Sequence, residues 1–149
     1  MKEEILQHFK SSISFVTSLN QLPEEKWRAE IAPGKWTIAE VVGHLTPWDE
    51  FLLVSRLPYF FTDAALPPGP EEKELNEEAA KESRNSSQQE TVKKFILTRQ
   101  QLMKAVEDIE YGLWSKELSI GTHKLSIYDY LKGFVQHDEH HFNQIKHII

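Results

Sequence analysis

The segment GFVQHDEHHFNQI, residues 133–145, carries His137, His140 and His141 within five positions. The chain has no cysteine, so disulfides and thiolate nucleophiles are excluded, and any metal site must be built from His, Asp or Glu. His137 and His141 stand four residues apart. On a helix that spacing sets both imidazoles on one face, one turn apart, while His140 points elsewhere. Such a pair could offer a divalent cation two nitrogen lone pairs. It could equally be a hydrogen-bonded core pair or a partly wet helix face. With seven histidines in 149 residues, about 0.3 such pairs are expected by chance, so the spacing alone does not choose.

A distant histidine adds context. His44, in EVVGHLTPWDE, sits at the edge of another apolar stripe, with Glu40 four residues before it and Trp48 four after. If two helices face each other at the usual separation of about 8–10 Å, His44 could meet the His137–His141 pair across a core. Three imidazoles would take one side of a metal and leave positions open, as catalytic rather than structural sites do. A single histidine at such a place is more often a hydrogen-bonded core residue. Glu40 is the candidate general base. Glu40 and Asp49 are also candidate acceptors that would fix a ligand tautomer, with ordinary helix charge as the plainer alternative. Trp48, Tyr130 and Phe134 would wall a pocket. Asp138 and Glu139 are expected on a solvated face, and His8, His123 and His147 on the surface or in loops.

The elements that would position these groups read as helices. EEILQHFKSSISFVTSLNQL places Ile5, Phe9, Ile13, Val16 and Leu19 on one stripe. Pro23 opens a short helical turn, and APGKW is a loop. Thr37 with Glu40 fits a capping box opening a second long helix, whose stripe is Ile38, Val41, Leu45, Trp48 and Leu52. Pro47 is expected to kink or break it. Residues 62–86 form a long acidic crossover, in which EEKELNEEAAKES could be an exposed or partly docked helix, or simply a solvated linker. A third helix, capped by Ser87 and Glu90, carries Val92, Phe95, Ile96, Arg99, Leu102, Met103, Val106 and Ile109. A connection with a short extended piece leads to a last helix near Ser126. Its stripe is Ile127, Tyr130, Phe134, His137, His141, Gln144 and Ile148. Four helices, no convincing strand and one crossover between the second and third predict an all-α four-helix bundle, a single domain over 1–149.

Composition narrows the partners. Net charge is −6 and the Lys and Arg are scattered, so the basic footprint of a nucleic-acid binder is missing. No apolar run approaches the length of a membrane span, and no signal peptide is visible in the first twenty residues. A cytoplasmic location is the resulting expectation.

Two stretches, PGKWTIAEVVGHLTPWDE and LSIYDYLKGFVQHDEHHFNQI, together with the helix order, resemble the DinB-like superfamily of four-helix-bundle proteins over essentially the whole chain. The N-terminal stretch is similar to the family's Trp followed by a helix leading to His-Leu. The C-terminal stretch is similar to its closing helix with His-x-x-x-His. The resemblance implies a divalent metal, zinc or nickel foremost and iron or manganese otherwise, on His44, His137 and His141. The family's usual Arg-Gly-Gln after the last histidine reads Phe142-Asn143-Gln144 here, closer to the YfiT-like branch. The family implies hydrolysis or thiol S-transfer on a small molecule, with a low-molecular-weight thiol as co-substrate for the transfer. Its bundles often pair, so a homodimer is expected. The alternative is a metal- or ligand-binding protein, or a sequestering one, without turnover.

Overall fold

The computed structural model describes all 149 residues. The six helices are α1 (Lys2–Ser18), α2 (Glu24–Trp27), α3 (Ile38–Phe51), α4 (Glu72–Arg84), α5 (Gln88–Glu107) and α6 (Ile127–Lys146). An antiparallel hairpin of β1 (Glu117–Ile120) and β2 (His123–Ser126) sits between α5 and α6, with Gly121 at positive φ in its turn. No helix is long and apolar enough to cross a membrane.

The helix starts follow local chemistry. Thr37 Oγ1 accepts from the Glu40 amide while Glu40 Oε1 accepts from the Thr37 amide, the expected capping box. Ser87 caps α5 and Ser126 caps α6, each accepting from the amide three residues on. Pro47 does not break α3. The helix runs through it and gives way at Leu52–Arg56, a π-helical turn, then a 3₁₀ turn to Phe61.

The four long helices form the bundle. α1 packs on α5 and α6, and α3 packs on the same two, so α1 and α3 lie diagonally opposite. The buried faces carry Ile5, Phe9 and Val16 of α1, Ile38, Val41 and Leu45 of α3, and Val92, Phe95 and Leu102 of α5. The crossover is not a solvated linker. Leu66 is buried and its amide donates to the Ser119 carbonyl of β1. α4 docks along the outside of α3 through Ala79, Ala80 and Ser83. Gly43 makes that approach close, since a Cβ there would lie 2.7 Å from the Ser83 Cβ. α3 is therefore covered on two sides, which explains why Glu40, Val42, His44, Thr46 and Asp49 are buried beside its expected stripe.

On α6 the expected phase is displaced by one residue. The buried positions are Ile127, Leu131, Val135, Asp138, Phe142 and Ile145. Tyr130, Phe134, His141, Gln144 and Ile148 are only half-buried, and His137 is exposed. The histidines thus occupy the shoulder of the helix rather than its core face. A period of 3.6 fits both stripes, and only the neighbouring helices decide which one turns inward.

Asp138, expected on a solvated face, is in the core. Arg99 of α5, fully buried, donates to both carboxylates of Asp49 on α3 and Asp138 on α6, and to Ser12 Oγ on α1. His8, expected at the surface, closes the network with its Nε2 2.8 Å from Asp138 Oδ2. One guanidinium therefore ties all four bundle helices together. Buried ions of this kind are tolerated because each guanidinium N–H and each carboxylate oxygen finds a partner.

Candidate metal centre

α3 and α6 position the three histidines. The capping box fixes the start of α3, and His44 lies two turns in, 2 % exposed. Its Nδ1 is 2.5 Å from the Val41 carbonyl, which holds the N–H on that nitrogen and leaves Nε2 with a free lone pair. Trp36, from the loop before α3, packs on the His44 ring with centroids 4.9 Å apart.

α6 delivers the other two. His141 Nδ1 is 2.9 Å from Gln144 Oε1, so an N–H donated to that amide leaves its Nε2 unprotonated. His141 Nε2 and His137 Nε2 are 3.2 Å apart. One nitrogen from each of His44, His137 and His141 lies within 4.8 Å of the other two. The rings meet edge to face, with centroids 4.6 to 5.6 Å apart. The structure thus brings together the spaced pair His137 and His141 and the distant His44, the three ligands that the resemblance implies. It leaves His140 outside the cluster, although its ring packs edge-on against His141.

Electrostatics keeps the cluster neutral. Burial, followed by the neighbouring His141, pushes the His44 imidazole down to about 3. Desolvation among the clustered rings lowers His137 and His141 as well, against the pull of nearby carboxylates and, for His141, the Gln144 hydrogen bond. Neutral imidazoles converging from two helices are the donor set a divalent cation of the zinc type takes, and Nε2 atoms 3.2 Å apart match the spacing of about 3.3 Å expected around a tetrahedral ion. The residues present fit the ion.

Glu40 does not join them. Oε1 is held by the Thr37 amide and Oε2 by Arg84 at 2.6 Å. Burial alone would raise its carboxyl, but the Thr37 hydrogen bonds and Arg84 outweigh that and lower it. A carboxylate so engaged is poorly placed to accept a substrate proton. Asp49 orients no histidine either, being committed to Arg99.

A cavity of about 290 Å³ opens on the exposed side of His137. Trp48, Tyr130 and Phe134 wall it, as expected, and Glu72 and Asn76 of α4 add polar groups. These two lie outside every histidine motif. Only the docking of α4, which the sequence left undecided, places them there.

The chain matches the DinB superfamily over residues 14–145. No curated protein matches it by sequence. Among solved structures it is similar to YfiT from Bacillus subtilis, described as "a probable metal-dependent hydrolase with an unusual four-helix bundle topology". The TM-score is 0.80 at 15% identity, over 99% of this chain and 85% of that one. It is also similar to the mycothiol-dependent maleylpyruvate isomerase, with TM-score 0.72 and 15% identity, covering 97% of this chain but 60% of the isomerase. At such identities the likeness establishes the four-helix fold.

Proposed function

We propose that this chain, which belongs to the DinB superfamily, is a divalent-metal-dependent enzyme that acts on a small molecule by hydrolysis or thiol S-transfer. The observation that carries this reading is the convergence of three neutral imidazoles, from His44, His137 and His141, beside an aromatic-walled cavity. Imidazole nitrogens suit zinc, nickel or iron, and manganese fits them least well. When bound, such an ion supplies Lewis acidity that makes a water or a thiol a nucleophile near neutral pH.

The chain's own residues set the conditions. Val41 and Gln144 fix two imidazoles with Nε2 inward. Trp36 shields His44 from solvent. Glu72 lines the cavity with His137, and its charge acts on that imidazole. In this reading Glu72 takes the acid–base place that Glu40, tied into the helix cap, cannot. Having no cysteine, the protein must receive any thiol as a substrate.

The test is metal analysis of protein purified without a histidine tag, then turnover of the loaded protein. An activated ester probes hydrolysis, and a small thiol with a generic electrophile probes transfer. His141→Ala should abolish whichever is found. Activity that survives this change would refute the assignment. Another reading, a metal- or ligand-binding protein without turnover, draws on the engagement of Glu40. It predicts one metal per chain and no turnover with either probe.

A further inference from the structure

Five Arg, Asp and Glu side chains are buried: Glu40, Asp49, Arg56, Arg99 and Asp138. Four of them are ion-paired, and Arg56 is not. Its Nε is buried without a hydrogen-bond partner, and its one hydrogen bond runs from Nη1 to the Tyr130 hydroxyl, 3.5 Å away. The guanidinium is flanked by the rings of Phe51 and Tyr130, 4.9 and 5.8 Å from their centroids. Such stacking holds the cation but leaves its charge uncompensated. Arg56 also ends the π-helical turn Leu52–Arg56, and irregular turns of this type often re-aim a side chain at functional sites.

Tyr130 links that cation to the cavity. Its hydroxyl oxygen accepts from Arg56, and its own O–H meets no acceptor on the protein. Burial raises the phenol, so it stays a donor at neutral pH. Tyr130 lines the cavity that His137 lines, seven residues further along α6. Two helical turns separate the two Cα atoms by about 10 Å along the axis. Glu72 stands at the His137 end, where its charge is felt. The cavity is therefore polarised, with a carboxylate at the histidines and a guanidinium-backed hydroxyl at the far end.

We propose that Tyr130, positioned and polarised by Arg56, binds an anionic oxygen of the substrate, so that this site selects small molecules bearing a carboxylate several bonds from the reacting atom. The inference rests on the metal-enzyme reading for the other end of the substrate.

The cobalt(II)-loaded full chain titrated with 6-mercaptohexanoate and with its methyl ester tests it, read by the thiolate-to-cobalt absorption band. The acid should bind about ten-fold or more tightly than the ester, the worth of one charge-assisted hydrogen bond. Tyr130→Phe should bring that ratio to about one without changing the ester's affinity. Arg56→Gln should do the same, and Arg56→Lys should restore part of the preference. Equal binding of acid and ester by the unsubstituted protein, or a preference that survives Tyr130→Phe, overturns the proposal. If neither thiol produces a cobalt band, the thiol-transfer arm of the metal-enzyme reading fails on its own. The Trp48 indole N–H resonance, followed with hexanoate against methyl hexanoate, then decides the carboxylate site. A shift with the acid that Tyr130→Phe removes supports it, and no shift overturns it.

Discussion

Arg99 and Asp138 meet through two hydrogen bonds of 2.6 and 3.2 Å, one residue beyond His137. The same guanidinium grips Asp49, five residues beyond His44. The register of α3 against α6, and so the separation of their histidines, is set by one buried arginine. The charges are unequal. Asp138 also has His8, and with Arg99 this overcomes the effect of burial and lowers its carboxyl. Asp49 has Arg99 alone, and burial pushes it up to about 6.

Arg99→Leu should cost about 3–5 kcal/mol, because it strands two buried carboxylates. Urea denaturation measures this. Adding Asp49→Asn and Asp138→Asn should recover much of the loss, since neutral amides tolerate burial better than unpaired charges. No recovery would mean the cost is packing rather than charge.

Gln144→Leu should leave the fold intact and weaken metal binding about 10–100-fold, because nothing would then fix the His141 tautomer. Competition with a chromophoric chelator gives the affinity. His44→Ala should remove the metal altogether, read as ions per chain by elemental analysis.

Gly43→Ala should destabilise by about 1–3 kcal/mol, because the new methyl meets Ser83 Cβ, which is fixed to the α4 backbone. Thermal melting and faster proteolysis between residues 62 and 71 report the loosened helix. Gly133→Ala, with nothing within 4 Å of its Cβ, should be neutral or slightly stabilising.

Acid should weaken the metal-free protein. His44 takes a proton less readily folded, at about 3, than unfolded, at 6.5. Between those values the unfolded chain binds more protons, so stability falls as pH drops below 6.5. His137 and His141 act in the same direction. Asp49, raised, acts the opposite way, its contribution being lost as pH rises from 3.8 through about 6. The histidines dominate, and His44 alone should cost about 2 kcal/mol at pH 5 relative to neutral. Urea melts of chelator-treated protein at pH 7 and pH 5 check this, and a midpoint that does not fall would contradict it.

The chain's own order of residues determined the four long helices and the His137–His141 pair. Apolar periodicity on α1 and α5, the Thr37–Glu40 box and the i, i+4 spacing of His137 and His141 are local, and helix geometry makes local spacing a statement about faces. Tertiary structure decided the rest. It chose which of two adjacent stripes on α6 turned inward, because both fit the helical period and only packing against α1 and α3 separates them. It drew Asp138 and His8 into the core because Arg99, 39 residues before Asp138 in sequence, was waiting there. It tied Glu40 to Arg84, and it docked a crossover helix so that Glu72 and Asn76 reached the cavity. Those relations depend on groups distant in sequence, and no local spacing encodes them.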